Sequence, residues 1–334
     1  MNTLLNTAKA MMNKGLLAMD ESISTCNKRF AALNIPQTEA MRKNYRELLV
    51  TTPGLGDCIS GAILSDETIH QQRDHGKPFV EILEDAGILP GIKVDMGAKD
   101  MAGFPDEKIT EGLDGLRQRL QQYKKLGARF AKWRAVILIG ENIPSNECIT
   151  ANAYALARYA ALCQEAGIVP IVEPEVLMDG KHIIEKCAAV TEEVHHILFQ
   201  QLYQQRVQIE GIILKPNMIL PGKDCPVQVD DGAIANATIE CFLRSVPAAV
   251  PGIVFLSGGQ SSQKATARLN AMHGKNNPPL PWRLTFSFSR AIEYPALDIW
   301  NGKKENREAA QQSIHHRACC DLAASHGEYT QEME

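Results

Sequence analysis

The stretch GLDGLRQRLQQYKKLGARFAKWRAVIL, Gly112–Leu138, contains one helix pattern followed directly by one strand pattern. From Gly112 to Gly127, apolar side chains recur on one helical stripe, and Gly127 is positioned to end the helix. The second half, Phe130–Leu138, is a short apolar run rich in β-prone residues. The stretch therefore predicts a helix and then a buried strand, which is the repeating unit of α/β proteins.

Similar β-prone runs recur along the whole chain and alternate with amphipathic helical patterns, such as Thr38–Val50 and a segment that Thr191 is predicted to cap. The runs are Lys14–Met19, Cys58–Leu64, Gly91–Val94, Phe130–Leu138, Ile168–Val172, Ile209–Leu214, Gly252–Leu256 and Arg283–Phe288. About eight strand–helix units without a dividing linker favour a closed (β/α)₈ TIM barrel over an open doubly wound sheet. We expect one α/β domain over residues 1–334, with a lead-in at 1–13 and a short tail at 326–334.

The composition is that of an ordinary globular protein: 334 residues, 45% hydrophobic, 22% charged, with a formal net charge of −4. This mild acidity argues against a general nucleic-acid or membrane-surface binder. The nine cysteines are scattered and form no CxxC pair, which favours a reducing compartment over a disulfide framework. The N-terminus has no signal-peptide or transit-peptide pattern, so we expect a soluble cytoplasmic protein.

Several predicted strands carry charges near their C-terminal ends, although strands of a parallel barrel are normally apolar throughout. Residues at i and i+2 share one face of a strand. If that face is the lumen, the charges converge at the mouth of the barrel, where active sites lie; if it faces helices or solvent, they form ordinary salt bridges. The charges are Lys93 and Asp95, Lys132 and Arg134, Glu173 and Glu175, with Asp20 and Lys215 on two further strands. Their repetition on five strands favours the lumen.

Lys215 stands inside the otherwise apolar run IEGIILKPNMILPG, Ile209–Gly222. Desolvation and a nearby cation both lower the pKa of a lysine from its usual value of about 10.4, and the neutral amine attacks ketones to give an iminium ion. Lys132 is the best candidate for that cation, with Arg134 and Lys93 behind it. The alternative is a lysine that merely extends its amine from a strand end into solvent.

Three loops offer groups that bind phosphate, two of them after the seventh and eighth predicted strands, where this fold usually places its phosphate site. Glycine-rich turns can direct backbone N–H groups at an anion, although most such turns only reverse the chain and bind nothing. The alternative for the first loop is that its hydroxyls cap a helix. The candidates are Ser22, Thr25, Lys28 and Arg29 in DESISTCNKR; Ser257, Gly258 and Gly259 in FLSGGQSS; and Ser287, Ser289 and Arg290 in TFSFSRA.

Several long motifs occur in one order along the chain: GLLAMDES, GIKVD, EGLDGLRQRLQQYKKLGARFAKWR, VPIVEPEVLMDG, ILKPNM, PGIVFLSGGQS and LTFSFSRA. With them, the sequence closely resembles the class I, Schiff-base-forming fructose-1,6-bisphosphate aldolases from about residue 14 to 330. The resemblance implies a lyase without metal or cofactor that reversibly cleaves fructose 1,6-bisphosphate to dihydroxyacetone phosphate and glyceraldehyde 3-phosphate, in glycolysis, gluconeogenesis or Calvin-type metabolism. It also implies a homotetramer whose partners are phosphorylated sugars, with no nucleic acid and no membrane.

The same resemblance assigns roles to the residues already singled out. Lys215 matches the Schiff-base lysine, Glu173 the acid/base that expels water, and Asp20 the carboxylate that takes the C4 hydroxyl proton. Lys132 matches the cation beside the lysine, supported by Glu175, Lys93 and Arg134. The C1-phosphate ligands match Ser257, Gly258 and Arg290, and Ser22, Thr25 and Arg29 resemble the opposite end of the substrate site. Gly259, Ser287 and Ser289 remain candidates from the loop pattern alone.

The chain departs from the family pattern in three places. Phe288-Ser289 stands where relatives often have Tyr-Gly, so a side chain at Ser289 either crowds the phosphate or adds a hydroxyl. Thr25 replaces a serine and keeps its hydroxyl. The final residues, HGEYTQEME, lack the C-terminal tyrosine that assists proton exchange in many relatives, and Tyr329 lies too far inside to be equated with it.

Three other readings fit parts of the pattern. A Schiff-base lyase or transaldolase for a different phosphosugar would share Lys215 without needing two phosphate sites. A zinc-dependent aldolase would need several converging histidines, whereas the nine here contain no HxxH or HExxH spacing. A non-catalytic barrel would have no use for so many charges in its lumen.

Overall fold

The computed structural model of the protein describes residues 2–73, 76–274 and 279–334. Its strands, in chain order, are β1 (Gly15–Met19), β2 (Ile59–Leu64), β3 (Leu89–Lys93), β4 (Ala98–Asp100), β5 (Lys108–Thr110), β6 (Phe130–Ile137), β7 (Val169–Val176), β8 (Ile213–Leu214), β9 (Gly252–Phe255) and β10 (Arg283–Phe288). Strands β4 and β5 form a separate antiparallel hairpin. The other eight close into a parallel barrel in the order β1-β10-β9-β8-β7-β6-β3-β2. The predicted TIM barrel is confirmed.

Helices occupy most of the chain between these strands. They are α1 (Asn2–Met11), α2 (Ile23–Ala32), α3 (Glu39–Val50), α4 (Leu55–Cys58), α5 (Asp66–Ile69), α6 (Phe79–Asp85), α7 (Leu116–Lys125), α8 (Asn146–Glu165), α9 (Ile184–Gln204), α10 (Asp231–Ser245), α11 (Ser262–Met272), α12 (Arg290–Trp300) and α13 (Arg307–Ala324). Short 3₁₀ helices span Ile209–Gly211, Lys304–Asn306 and Gln331–Met333. Helix α1 lies within the predicted lead-in, of which Met1 falls outside the described residues.

Most predicted strands agree with the structure to within two residues at each end, and two differ by four residues at one end. The run Ile209–Leu214 begins as a 3₁₀ helix, and only Ile213–Leu214 is strand. The ladder is short because Pro216 follows closely and has no N–H to donate. The fifth barrel strand is longer than predicted and continues through Glu173 and Glu175 to Val176, since both carboxylates face the lumen without interrupting its pairing with β6.

One predicted cap is wrong. Thr191 does not begin a helix but lies fully buried inside α9, which starts at Ile184. Its hydroxyl accepts a hydrogen bond from the side-chain amide of Asn217 instead, at 3.2 Å. A threonine between apolar positions signals a cap only when the preceding turn is not itself helical.

The two faces of the strands pack into separate apolar cores. The lumen core includes Leu16, Ala18, Ile63, Phe130, Val169, Ile171, Ile213 and Val254. The ring of Phe130 fills the lumen over Gly61 and Gly91, where an added Cβ would come within 2.9 Å and 2.2 Å of it. The outward faces pack against the helices in the larger core. Side chains alternate between the two faces of a strand. The next lumen-facing residue of each strand therefore lies beyond the lumen core, at the carboxyl end of the barrel.

The C-terminal segment packs back onto the barrel helices. The hydroxyl of Tyr329 donates a hydrogen bond to Glu334 at 2.9 Å, and the backbone N–H of Tyr329 donates to Asn270 at 3.0 Å. Glu334 is also paired with Arg317 of α13 at 2.6 Å. Tyr329 is thus tied to the outside of the barrel, in agreement with the expectation that it is not equivalent to the terminal tyrosine of relatives.

Candidate active site

Lys215 follows β8 directly, and its side chain is almost completely buried. Its backbone N–H continues the barrel ladder by donating to the carbonyl of Val172 at 2.8 Å. The amine, Nζ, lies 3.4 Å from Oε1 of Glu173. Burial lowers the pKa of Lys215 below its usual value; Glu173 opposes that shift, and the cation of Lys132 adds to it. The sequence-based expectation of a buried lysine with a lowered pKa beside Lys132 is met.

Lys132 bridges two carboxylates across the mouth of the barrel. Its Nζ lies 2.7 Å from Oδ2 of Asp20 and 3.4 Å from Oε2 of Glu173. Burial alone would raise the pKa of both acids, but the cations of Lys132 and Lys215 outweigh it: the pKa of Asp20 falls to about 2, and that of Glu173 is also lowered. Both groups are therefore carboxylates at neutral pH. In turn, these acids raise the pKa of Lys132 against the effect of its burial, so it stays charged.

Glu173 contacts both lysines and still has capacity for a ligand. Oε1 faces Lys215, whereas buried Oε2 lies 3.4 Å from Nζ of Lys132 without a hydrogen bond from any residue that the structure describes. An oxygen held only by an ion pair at this distance can still accept a hydrogen bond from a ligand or water in the adjoining space. The geometry therefore offers a proton acceptor and donor within reach of whatever is attached to Lys215.

A second layer of ion pairs surrounds these groups. Nε of Arg134 lies 2.5 Å from Oε2 of Glu175, and Nζ of Lys93 lies 2.6 Å from Oδ1 of Asp95. The other oxygen of Asp95 accepts from the backbone N–H of Arg134 at 3.3 Å, which joins the pairs. All the charges predicted to face the lumen do so, since they alternate with residues of the outer core.

Of the three loops predicted to bind phosphate, the two that follow β9 and β10 lie side by side. Gly258 and Gly259, at the turn after β9, both have positive φ, 58° and 92°. A Cβ on Gly259 would lie 3.5 Å from the guanidinium of Arg290, at the start of α12, so the arginine packs directly against this turn. Ser257 and Ser287 are buried beside them, and the hydroxyl of Ser287 has no hydrogen-bond partner among the described residues. Backbone N–H groups of a glycine turn, placed beside a guanidinium, suit the binding of an anion such as phosphate.

The loop after β1 has the helix-capping arrangement that the sequence left open. The hydroxyl of Ser22 accepts from the backbone N–H of Thr25 at 3.2 Å and lies 3.1 Å from its hydroxyl. Both side chains are exposed, as is that of Lys28. Capping and substrate contact are compatible, because a hydroxyl can accept one hydrogen bond and donate another.

Arg29 belongs to a buried network that the sequence did not reveal. Its guanidinium is paired with Glu21 and lies 2.9 Å from Glu293 and 3.4 Å from the hydroxyl of Ser289. That hydroxyl donates to Glu293 at 2.9 Å. Glu21 also pairs with buried Arg46 at 2.6 Å. The hydroxyl at position 289 is therefore already engaged within the protein, which answers whether it adds a free donor.

Comparison with known proteins identifies the family of the chain. The family model described as "Fructose-bisphosphate aldolase class-I" matches residues 3–334. The chain belongs to that family. Members of the class I aldolase family are lyases that act through a Schiff base and need no metal, and the substrates that the family implies are sugar phosphates. The activity of this chain is that of a class I fructose-bisphosphate aldolase, which sets aside the zinc-dependent and non-catalytic readings.

Individual class I aldolases are similar over nearly their full lengths. A probable class 1 fructose-bisphosphate aldolase of Xanthomonas campestris is 56% identical over 318 residues, 94% of this chain and 95% of the relative. The cytosolic aldolase 5 of Arabidopsis thaliana is 52% identical over 329 residues, 98% of this chain and 91% of the relative. The Plasmodium falciparum aldolase, solved in complex with TRAP and a small-molecule inhibitor, superposes with a TM-score of 0.96 at 44% identity, covering 98% of this chain and 95% of that one.

None of the helices in the described part of the chain has the length and apolarity needed to cross a bilayer.

Proposed function

We propose that Lys215 is the nucleophile of this aldolase and forms an imine with the C2 ketone of fructose 1,6-bisphosphate. The observation that carries the proposal is the position of its Nζ, buried and 3.4 Å from Glu173, with a pKa lowered by burial. Attack by the neutral amine gives a carbinolamine, and loss of its hydroxyl as water gives the iminium ion. The iminium then accepts the electron pair released when the C3–C4 bond breaks.

Glu173 is proposed to carry the protons of these steps. Its carboxylate first takes a proton from the attacking amine and then returns it to the departing hydroxyl. Support comes from the 3.4 Å between Oε1 and the nucleophile, and from the burial of the carboxylate beside it. The reverse transfers allow the product imine to be hydrolysed.

Asp20 is proposed to take the C4 hydroxyl proton as the C3–C4 bond breaks, so that glyceraldehyde 3-phosphate leaves as the aldehyde and an enamine remains on Lys215. The pKa of about 2 keeps Asp20 ionised and ready to accept. Lys132, 2.7 Å away, holds that carboxylate in place. Arg134 with Glu175, and Lys93 with Asp95, are proposed to keep the surrounding charge balanced.

The two phosphates are proposed to bind to two groups of residues around the mouth, which approach each other where Arg29 meets Ser289. Ser257, Gly258 and Arg290, with Gly259, Ser287 and Ser289 around them, would hold the C1 phosphate. Ser22, Thr25 and Arg29 would contact the C6 phosphate. The contact between the turn at Gly259 and the guanidinium of Arg290 supports the first site. Arg29 and Ser289 each already donate a hydrogen bond to Glu293. They would therefore contact substrate only through their remaining donors and acceptors.

For the assembly we infer a homotetramer of single-domain chains, on the resemblance to class I aldolases, and a cytoplasmic location. The free thiols of all nine cysteines and the cytosolic relative from Arabidopsis support that location. Light scattering on the purified chain tests the oligomeric state. The catalytic assignment is tested by borohydride reduction in the presence of substrate, because reduction converts an imine on Lys215 into a stable secondary amine.

A further inference from the structure

Two cysteines and a histidine meet at the end of the barrel opposite the active site. Cys58 immediately precedes β2 and is buried at the amino end of that strand. His315 and Cys319 are one turn apart on α13 and are half-buried. The sulfur atoms of Cys58 and Cys319 lie 2.7 Å apart, and Sγ of Cys319 lies 3.6 Å from Nε2 of His315. One ligand atom from each of the three residues lies within 4.8 Å of the other two.

One of these separations is that of a tetrahedral metal site, and the other is shorter. With zinc–sulfur bonds of about 2.3 Å and zinc–nitrogen bonds of about 2.0 Å, ligand atoms around one ion are about 3.5–3.8 Å apart. The 3.6 Å between Cys319 and His315 matches that spacing. The two sulfurs, which lie 2.7 Å apart, have to separate by about 1 Å to bind one ion.

The protein supplies three ligands, and water would fill the fourth position. Two thiolates and a neutral imidazole leave a bound divalent zinc ion with no net charge, so a water molecule can complete the coordination. The imidazole itself packs closely against Gly54, which has a φ of 71° and where a Cβ would come within 2.9 Å of Nε2 of His315.

We propose that Cys58, His315 and Cys319 form a zinc site that joins α13 to the amino end of β2. Binding of Zn²⁺ releases one proton from each thiol that is not already ionised, and the imidazole binds in its neutral form. The site lies at the opposite end of the strands from Lys215, so the metal stabilises the fold and takes no part in aldol cleavage. The proposal is independent of the catalytic roles given above.

The same helix provides a matched control. His316 and Cys320 have the same spacing as His315 and Cys319, and Nε2 of His316 lies 3.7 Å from Sγ of Cys320. Cys320, however, donates to the backbone carbonyl of Met333, and this pair is not part of any group of three possible ligands among the described residues. A helical His–Cys pair alone should bind a divalent metal weakly, so the control isolates the contribution of Cys58.

The test uses the full chain, reduced and stripped of metal, titrated with Co²⁺ as a spectroscopic substitute for Zn²⁺. We expect one Co²⁺ per chain, the absorption of thiolate-to-cobalt charge transfer, its loss when Zn²⁺ is added, and a higher midpoint of thermal unfolding with Zn²⁺. Cys58→Ser and Cys319→Ser should lose the charge-transfer absorption while their circular dichroism and aldolase activity stay at wild-type levels. Cys320→Ser should keep it.

Three results would overturn the site. The first is no charge-transfer absorption in the wild-type chain, and the second is absorption that persists in both Cys58→Ser and Cys319→Ser. The third is a Cys58–Cys319 disulfide that persists under the reducing conditions of the titration, detected by peptide mapping after alkylation of the denatured chain.

Discussion

Nζ of Lys215 lies 3.4 Å from Oε1 of Glu173, and each side chain is only 4% exposed. Such a pair is expensive to bury, and removing one partner of a buried pair is more damaging than keeping both. Lys132 reduces the penalty by placing a second cation on the other oxygen of Glu173. The arrangement lowers the pKa of Lys215 while keeping Glu173 ionised, which is the combination that nucleophilic attack and proton transfer require.

Glu173→Gln should reduce kcat by about 10²- to 10⁴-fold, because the amide can neither accept the proton of the amine nor return it to the departing hydroxyl. Steady-state kinetics with fructose 1,6-bisphosphate measures the change. Glu175→Gln serves as the comparison, since Glu175 is paired with Arg134 and not with Lys215; its loss of kcat should be smaller. Equal losses in the two variants would remove Glu173 from the proton-transfer role.

Lys132→Met should shift the pH dependence of imine formation to higher pH. The cation of Lys132 lowers the pKa of Lys215, so its removal raises that pKa, and the neutral amine appears only at more alkaline pH, by about one pH unit. The rate of borohydride inactivation with substrate, followed from pH 6 to 10, measures the shift. Lys132→Arg keeps the charge and should keep the wild-type profile; a shift toward lower pH in Lys132→Met would contradict the electrostatic account.

Replacing Glu21 and replacing Glu293 with glutamine should change the free energy of unfolding by different amounts. Burial and the charge of Glu21 raise the pKa of Glu293 well above its usual value, whereas for Glu21 the effect of burial is outweighed by Arg46 and Arg29, which lower its pKa to about 2. Glu293 is therefore the neutral acid of the two, and Glu293→Gln should change the free energy of unfolding by less than about 1 kcal/mol. Glu21→Gln leaves Arg46 buried without an anion and should cost about 3 kcal/mol or more. Denaturant unfolding at pH 7 compares them, and equal costs would refute the assignment of Glu293 as the neutral acid.

Most of the fold and of the barrel mouth follows from local sequence. Alternation along strands such as Phe130–Ile137 places Lys132 and Arg134 on the lumen face, and the prediction needed only the period of a strand and the location of active sites in this fold. The same reasoning brought the turn at Gly258 next to Arg290. The hairpin of β4 and β5 was not anticipated, because three-residue strands carry too little pattern to be recognised.

The buried network around Arg29 could not be predicted in the same way. Glu293 lies on α12, and its burial depends on how that helix meets α2, not on any local pattern. Cys58 and Cys319 are separated by 261 positions in the chain, and only the closure of the barrel brings them together. Contacts of this kind are set by tertiary packing, so the sequence indicates the residues but not the pairs.

Asp321→Asn should remove part of the pH dependence of stability. Burial raises the pKa of Asp321 to about 7, although Arg317 opposes the shift. Between pH 4 and 7 the folded chain holds a proton that the unfolded chain has lost, so this group lowers the free energy of unfolding as pH rises, by up to about 1.4 kcal/mol per pH unit. The stability of Asp321→Asn relative to wild type should therefore increase from pH 5 to 8 in denaturant titrations. A constant or falling difference would show that Asp321 is already ionised at pH 5.

Borohydride trapping with peptide mapping shows whether Lys215 forms the covalent bond to substrate. With fructose 1,6-bisphosphate or dihydroxyacetone phosphate present, reduction should inactivate the enzyme and leave the modification on the peptide that contains Lys215. Lys215→Met should fold normally, as judged by circular dichroism, and show neither turnover nor modification. Modification of a different lysine, or turnover by folded Lys215→Met, would contradict the account.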